Sequence, residues 1–447
     1  MQRRRMKAHI LILVFVTLQG IARSFEDERT LIVQFKSDIS ASEVQDFAKR
    51  YGLDMMNKVY GNYYSFLDKN QDSDSLTLLA SDTKVKWVDY ETEEMYTLLS
   101  TDVNTWETIK DPMWRTQKWY LSEQPFNAKS GWEHCYTGRG VTIGLLDNGV
   151  LDHPDLSVDR ALSKNFWGNV PVQSRSHGTQ VAGVASAKSN NLCGIGVAPQ
   201  ASIADLRVFG QKSTLKTTHL MEALSYKPKD IHIYSNSWTI SNSGISVGGP
   251  KKPVLDILEE GTKLGRDGKG SVYLWGTGNG GPTGDSCAYD GYSNSVFTLG
   301  ITAVDRNKHM LKSGENCSAT FAAAPSQNTG GTEIVTTFGT DKCTKSFSRC
   351  SAAVPMASGA IALVMEENPN LTWRDIKHLL ARSGSKDGLL PNNFEENAAG
   401  YKVSPTFGFG ELDIGRLINM AHPDNWWSVG GWKEMKHCVV EPNIKWW

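Results

Sequence analysis

The strongest constraint on the fold is an alternation of short apolar runs with helical patterns over residues 114–422. Runs such as 141–146 and 271–275 predict buried strands, whereas 178–186 and 351–366 have helical patterning. Apolar strands that alternate with helices are typical of a parallel sheet covered on both faces. The sequence therefore predicts an α/β fold in which helices pack on both faces of a parallel sheet.

The N-terminal part of the chain follows a different pattern. Residues 31–35 and 85–88 alternate like strands, and 41–51 has helical spacing. We expect a small α+β unit with its linker over residues 25–110. The α/β domain is then expected over residues 111–421.

The first 24 residues have the pattern of a secretory signal peptide. Basic residues at positions 3–5 precede the apolar run 10–18, and small residues stand at Ala22 and Ser24. That run is shorter than the roughly 20 residues of a membrane helix, and no later run approaches this length. We expect a chain without a transmembrane segment that is secreted or held in the lumen of secretory vesicles.

Composition narrows the classes of function. The chain has 447 residues and a formal net charge of −1, which argues against a nucleic-acid or membrane-surface partner. Its seven cysteines indicate disulfides with one left over, and the lack of a C-x-x-C pair argues against zinc. Asn316 and Asn370 begin N-x-S/T sequons, so both are candidate glycosylation sites in this compartment.

Three residues with complementary chemistry fall at strand ends or helix starts, where functional groups gather in such sheets. Asp147 follows the run 141–146, His177 opens a helical stretch, and Ser351 opens the pattern 351–366. A serine nucleophile needs a base, and the base needs an orienting carboxylate. Each residue alone has an ordinary reading as a cap or a core histidine. Together, in the order Asp, His, Ser, they predict a catalytic triad.

A glycine-rich loop supplies a fourth group. Residues 276–281 follow a predicted strand and contain Asn279, whose amide N–H groups are suited to an oxyanion. The alternative is a turn without a chemical role. A serine esterase of the α/β-hydrolase type is excluded, because Ser351 lacks the G-x-S-x-G elbow and the chain order differs.

These residues and their neighbours resemble the kexin/furin-type proprotein convertases, which are subtilisin-fold serine proteases. The similarity covers about residues 28–440, and its most specific segments are 111–112, 117–121, 136–141, 153–156, 177–179, 231–238, 278–281, 285–287, 290–292 and 370–375. The resemblance implies a calcium-dependent serine endopeptidase of the secretory pathway. Its implied substrates are protein or prohormone precursors, which it would cleave after basic residues.

The resemblance also implies a domain plan. The unit over residues 25–110 resembles a prodomain, which would act as a folding chaperone and intramolecular inhibitor. Residues 422–447 resemble only the start of a β-barrel P domain, which is expected to be truncated. The paired basic residues of a self-cleavage site are absent from 87–119. A second reading therefore stays open, that of a catalytically silent or truncated convertase-like regulator.

The resemblance also implies disulfide bonds and metal ligands at matching positions. The implied disulfides are Cys193–Cys343 and Cys287–Cys317, and Cys438 matches a P-domain cysteine. Cys135 and Cys350 have no family counterpart. Hard oxygen ligands suit Ca²⁺. The implied Ca²⁺ ligands are Asp111, Asp155 and Asn191 at one site, and Asp285 and Glu315 at a second.

The acids that line a convertase cleft are largely replaced here. The substrate-binding residues that carry over are Asp290, Trp238, Asn242 and Asn148, of which only Asp290 is acidic. Asn148 and Ser174 stand where a second basic residue is recognised, and Leu220 and Gly248 where a more distant arginine is recognised. We expect a basic residue before the cut but only a modest preference for a second one. Two further departures, Thr239 for a glycine and Arg349-Cys350 for Gly-Thr, are expected to crowd the cleft.

Overall fold

The computed structural model describes residues 29–68, 75–90, 109–168, 171–172, 176–210, 213–327, 334–426 and 428–430. The chain divides into two units, Met1–Leu98 and Leu99–Trp447, and each is described by itself. The predicted signal peptide, Ser174, Cys438 and most of the predicted P-domain start lie outside the described residues.

The first unit contains a four-stranded antiparallel sheet in the order β2-β3-β1-β4. Its elements are β1 (Arg29–Phe35), α1 (Ala41–Tyr51), β2 (Leu53–Tyr60), β3 (Tyr63–Asp68), α2 (Ser75–Ala80) and β4 (Val85–Tyr90). A capping box between Ser40 and Glu43 begins α1, and Gly52 ends it in the left-handed conformation. Phe47 of α1 packs edge-on against Phe35, with ring centroids 5.0 Å apart, and so joins the helix to the sheet.

The second unit is built on a seven-stranded parallel sheet in the order β11-β10-β9-β8-β5-β7-β6. Its first elements are α3 (Trp114–Leu121), α4 (Ala128–Glu133), β5 (Thr142–Asp147), β6 (Lys164–Asn165), α5 (His177–Ser186), β7 (Ser202–Arg207), α6 (Thr217–Leu224), β8 (Ile233–Asn236), α7 (Lys252–Gly268) and β9 (Val272–Gly276). The remaining elements are β10 (Thr298–Asp305), β11 (Thr320–Gln327), β12 (Ile334–Phe338), β13 (Lys342–Phe347), α8 (Cys350–Glu367), α9 (Trp373–Ser383), β14 (Glu395–Glu396), β15 (Lys402–Val403) and α10 (Ile414–Ala421).

Each face of the central sheet has its own hydrophobic core. In β5, Ile143 and Leu145 belong to the cluster that contains α8, whereas Leu146 belongs to a second cluster. The second cluster includes Leu220 of α6 and Leu258 of α7. Because successive strand side chains point to opposite faces, helices cover the sheet on both sides. The predicted α/β fold is confirmed.

Helix α8 passes through the larger core and carries Ser351 at its second position. The helix is apolar on all sides, which is typical of a fully buried helix. Small residues let neighbouring elements approach closely, and a Cβ placed on Gly359 would lie 2.6 Å from Val197 Cβ. The start of α8 is therefore fixed by packing along the rest of the helix.

Two disulfides fasten loops of the second unit. Cys193 pairs with Cys343, and Cys287 pairs with Cys317, as the resemblance implies. Cys135 is a free exposed thiol and Cys350 a free buried one. Among the described residues, every helix is too short or too polar to cross a membrane.

Candidate active site

Asp147 and His177 meet where β5 ends and α5 begins. The Asp147 Oδ2 lies 2.8 Å from His177 Nδ1. Asp147 Oδ1 accepts a hydrogen bond from the backbone N–H of Asn148 at 2.7 Å, so both carboxylate oxygens are held. Ser176 caps α5 by accepting from the backbone N–H of Thr179. Strand end and helix cap together fix the carboxylate against the imidazole.

The surroundings of His177 raise its pKa. Burial of the ring disfavours the imidazolium and lowers the pKa. The charge of Asp147 and its hydrogen bond act the other way, and the net pKa lies above the ordinary 6.5. The ring packs edge-on against Phe347 at a centroid distance of 5.4 Å. About a third of the side chain (34%) stays exposed, so a substrate can reach the ring.

Ser351 lies on a helix, α8, that packs against α5, the helix that begins with His177. Phe347, which contacts the His177 ring, precedes Ser351 by four positions. The structure places the Ser351 hydroxyl in a long contact of 3.5 Å to the carbonyl oxygen of Ser237, and not in a hydrogen bond to His177. Long or misaligned catalytic hydrogen bonds are common in sites without substrate.

The backbone that enters α8 is strained at Arg349. Its φ of 64° and ψ of −161° fall in a region that essentially only glycine adopts. The carbonyl oxygen of Arg349 is held by Ser326 Oγ at 2.7 Å and by the backbone N–H groups of Ala352 and Ala353. These bonds hold the strained peptide in place two residues before Ser351.

Asn279, the predicted oxyanion donor, is held by two hydrogen bonds. Its Oδ1 accepts from the backbone N–H of Cys350 at 3.2 Å, and its backbone N–H donates to Asn242 Oδ1 at 2.8 Å. Because Oδ1 is used in this way, the amide Nδ2 group remains available as a donor. The backbone N–H of Ser351, in the first turn of α8, is a second donor without an intrahelical partner.

Cys350 fastens α8 to the glycine-rich loop. Its Sγ donates to the carbonyl oxygen of Gly278 at 3.0 Å, and the thiol is buried. Burial raises the pKa of Cys350 to about 11, so the thiol stays protonated near neutral pH. We assign it a structural role next to Ser351.

Asp290 is buried and accepts four hydrogen bonds. Its Oδ2 accepts from Thr239 Oγ1 at 2.5 Å and from the backbone N–H of Ile240 at 3.1 Å. Its Oδ1 accepts from the backbone N–H groups of Tyr292 and Ser293 at 2.8 and 3.4 Å. The sequence predicts that Asp290 binds substrate. In the structure, its carboxylate oxygens already accept hydrogen bonds from the protein itself.

The other predicted substrate-binding residues have clear structural contacts. Asn148 Oδ1 accepts from Ser176 Oγ and from the backbone N–H of Gly178, which ties β5 to α5. Trp238 Nε1 donates to the carbonyl oxygen of Leu146. Leu220, which the sequence places at an arginine-recognition position, is fully buried in the core and cannot contact a substrate.

The structure brings together Asp111 and Asp155, the two acids of the first predicted calcium site. Asn190 links them, donating from Nδ2 to Asp155 at 2.8 Å and from its backbone N–H to Asp111 at 3.1 Å. Asp111 Oδ2 and Asp155 Oδ2 are buried without a hydrogen-bond partner in the described structure. Burial, together with the charge of Asp111, raises the pKa of Asp155 to about 7. Uncompensated carboxylates fit a cation, but Asn190 makes these contacts, whereas the predicted ligand Asn191 is exposed.

The second predicted site brings Asp285 and Glu315 under the glycine-rich loop. Glu315 Oε1 accepts from the backbone N–H of Gly280 at 2.7 Å, and a Cβ on Gly278 would clash with the Glu315 carboxylate. Asp285 Oδ2 is buried without a partner among the described residues. Burial and the charges of Asp285 and Asp290 raise the pKa of Glu315 to about 7. These groups fit a cation as well.

Neither site is a cluster of many acidic or sulfur ligands. In the described ranges, no three His, Cys, Asp or Glu side chains are arranged to hold a metal ion. A cation at either site would need carbonyl, amide or water oxygens besides the two carboxylates, which is ordinary for Ca²⁺. The sequon residues Asn316 and Asn370 are both exposed.

The sequence does not predict the hydrogen bonds between distant segments of the site. The substitution of Thr239 for glycine is visible in the sequence, but its bond to Asp290 spans 51 positions. The bond between Asn279 and Asn242 spans 37. Side-chain periodicity carries no signal for contacts of this kind.

Comparison with known proteins places this geometry in a family. The peptidase S8 model, described as the subtilase family, matches residues 138–410. Human furin is 34% identical over 419 residues, covering 88% of this chain and 51% of furin. Furin-1 of Xenopus laevis is 33% identical (94% of this chain, 56% of the relative), and proprotein convertase subtilisin/kexin type 5 of Rattus norvegicus is 32% identical (90% and 23%). The chain spans about half the length of the furins that it matches.

Solved structures show the same fold at lower identity. The serine protease of Aeromonas sobria, solved with its chaperone, aligns with a TM-score of 0.63 at 22% identity, covering 72% of this chain and 68% of that one. A Pseudoalteromonas arctica protease aligns with a TM-score of 0.54 at 18% identity, covering 70% and 99%.

Proposed function

The chain belongs to the subtilase family, and on that premise we propose that it is a serine endopeptidase of the proprotein convertase type. The observation that supports the proposal is the 2.8 Å contact between Asp147 and His177, at the start of helix α5, which packs against the helix α8 that carries Ser351. An acid, a base and a serine hydroxyl at one sheet edge are the parts that nucleophilic acyl transfer needs.

In the proposed reaction, Ser351 Oγ attacks the scissile carbonyl carbon. His177 Nε2 takes the hydroxyl proton and later returns it to the leaving amine. Asp147 holds the imidazole with its proton on Nδ1 and stabilises the imidazolium that forms. Water then repeats the same steps to release the acyl group from Ser351.

Negative charge develops on the carbonyl oxygen during each attack. The Asn279 Nδ2 group and the backbone N–H of Ser351 are the donors proposed to bind it. Asn279 is pre-oriented, since Cys350 and Asn242 hold its Oδ1 and its backbone N–H. Donors fixed in advance stabilise the transition state without a reorganisation cost.

The proposed substrates are protein or prohormone precursors of the secretory pathway, with cleavage after basic residues. Asp290 is the one carboxylate retained for a basic side chain directly before the cut, and only a modest preference is proposed for a second basic residue. The unit over residues 25–110 is proposed to act as a prodomain and intramolecular inhibitor. The protein is proposed to be secreted or to remain in the vesicle lumen.

Calcium is proposed as a structural cofactor. Asp111, Asp155 and the Asn190 loop would hold one ion, and Asp285 and Glu315 a second. A bound Ca²⁺ would neutralise buried carboxylates that otherwise repel each other. The second pair supports the glycine-rich loop through the Gly280 N–H, and so keeps Asn279 in register.

A catalytically silent regulator is the second candidate function. The observations that favour it are the strained backbone at Arg349 and the contact of the Ser351 hydroxyl with Ser237. Such a protein would bind precursor-like peptides without cutting them.

One assay separates the two candidates. The purified chain is incubated with a peptide library in calcium, alongside Ser351→Ala and the surface control Ser225→Ala, whose hydroxyl bonds only within its own helix turn. The protease proposal expects cleavage by the wild type and the control, and none by Ser351→Ala. A folded wild type that binds peptides but cuts none would establish the regulator instead.

A further inference from the structure

We infer that Thr239 is a specificity-determining residue, because its hydroxyl occupies a lone pair of Asp290 that a basic substrate side chain needs. The inference rests on the proposed protease function and concerns the substrate residue directly before the scissile bond. It broadens the substrate class at this position, so that peptides with an uncharged residue are accepted alongside those with Arg or Lys.

Asp290 is placed beside the nucleophile by one short segment. The Ser351 Oγ lies 3.5 Å from the carbonyl oxygen of Ser237, and Thr239, two residues on, donates to Asp290 Oδ2. Asn242, three residues further, accepts from the backbone N–H of Asn279. The segment 237–242 thus runs from the nucleophile to the oxyanion loop, with Asp290 bonded to its middle.

The Asp290 carboxylate has no spare acceptor site. An ionised carboxylate offers about four lone-pair positions. All four are used, by Thr239 Oγ1 and by the backbone N–H groups of Ile240, Tyr292 and Ser293. The three backbone donors are fixed by the chain path. The Thr239 hydroxyl is the one side-chain donor of the set, and rotation about its Cα–Cβ bond would release Asp290.

The segment that bonds Asp290 brings no charged side chain of its own. Residues 236–250 contain no Asp, Glu, Lys or Arg. Ile245 and Val247 of this segment are 90% and 79% exposed. A substrate side chain that contacts this segment therefore meets apolar groups, hydroxyls and the carboxylate of Asp290, which is already bonded.

A basic side chain that reaches Asp290 must displace the Thr239 hydroxyl. The energy of a hydrogen bond to a charged acceptor corresponds to a factor of about 10 to 100 in rate or affinity. Displacing the hydroxyl should therefore lower the preference for a basic over an uncharged side chain by about this factor. An uncharged side chain displaces nothing. Removal of the hydroxyl should therefore favour basic substrates selectively.

The test compares two peptides that differ only in Arg or Leu directly before the scissile bond. Thr239→Val keeps the side-chain shape but removes the donor, and we expect its Arg-to-Leu ratio of kcat/KM to rise at least about tenfold over the wild type. Thr239→Ser restores a hydroxyl and should keep the wild-type ratio within about threefold. Ser241→Ala removes a hydroxyl of the same segment that bonds Ser243 and not Asp290, so its ratio should not change.

Active enzyme in each preparation is counted by covalent labelling with a fluorophosphonate. In Thr239→Val, the added change Asp290→Asn should abolish the gain for Arg. If Thr239→Val is poorly folded, Thr239→Gly provides the same loss of the hydroxyl. An unchanged ratio in labelled, active variants overturns the inference and leaves the protease function standing. No label and no turnover in any variant contradicts the proposed function, and the inference with it.

Discussion

A serine hydroxyl is a weak nucleophile, and in the proposed mechanism three other side chains decide the chemistry of Ser351. Asp147 and His177 are bonded at 2.8 Å, and Asn279 is held by two hydrogen bonds of its own. The sequence predicts all four residues because each stands at a strand end, a helix start or a glycine-rich loop. It does not predict which residue of the loop 190–192 bonds Asp111 and Asp155, since that choice depends on the local backbone path.

Asn279→Ala should lower kcat by roughly 10²–10³, with little change in KM. This is the loss seen when an oxyanion-hole asparagine is removed from subtilisin. Asn419→Ala, which removes an exposed amide on α10, is the control. The measurement is steady-state kinetics on one peptide. A decrease in kcat of less than about threefold would show that Asn279 is not an oxyanion donor.

Activity should rise with pH through a pKa above 6.5, because His177 must be neutral to take the proton and its pKa is raised. In Asp147→Asn the charge that raises this pKa is gone, while the burial that lowers it remains. The rising limb of the kcat/KM profile should therefore move to lower pH, and the rate should fall by about 10⁴-fold. A limb that stays in place would mean that Asp147 does not set the titration of His177.

At the scale of elements, the site depends on how α8 begins. The fully apolar helix predicts a buried element, and it is one. The sequence cannot predict the conformation of Arg349, since a glycine-only backbone geometry is imposed on an arginine by bonds from β11 and from the helix itself. The packing of α8 keeps the backbone of Arg349 in this strained conformation.

Arg349→Gly should stabilise the protein by about 1 kcal/mol, because relief of 1–3 kcal/mol of backbone strain exceeds the added entropy of the unfolded glycine. The melting temperature should rise by about 2 °C. Arg349→Ala keeps a Cβ and therefore the strain, so it should give no gain. A lower melting temperature for Arg349→Gly than for Arg349→Ala would contradict the strain argument.

At the scale of the whole molecule, hydrophobic periodicity predicts the parallel sheet, because buried strands and helices alternate through residues 114–422. The resemblance predicts both disulfides of the second unit. It fails at Leu220, which the fold places in the core rather than in the cleft. It also leaves out the bond from Thr239 to Asp290, whose two residues meet only in the folded chain.

Calcium binding should stabilise the whole protein by mass action, by about 2.7 kcal/mol at a free concentration of 100 Kd for one site. The melting temperature should therefore fall in excess chelator and recover on addition of Ca²⁺. Asp155→Asn should lose part of this recovery. Asp152→Asn, a change of an exposed acid on the same loop, should not. A melting temperature that is unchanged in excess chelator would rule out both proposed calcium sites.

The central claim is that Ser351 is a nucleophile activated by His177. The most direct measurement is labelling of the purified chain with a fluorophosphonate, followed by mass spectrometry of the modified peptide. We predict one label, on Ser351, in the wild type, and none in Ser351→Ala. His177→Ala should react at least 10²-fold more slowly, because the hydroxyl loses its base. Labelling of another serine, or equal labelling rates in the wild type and His177→Ala, would contradict the account.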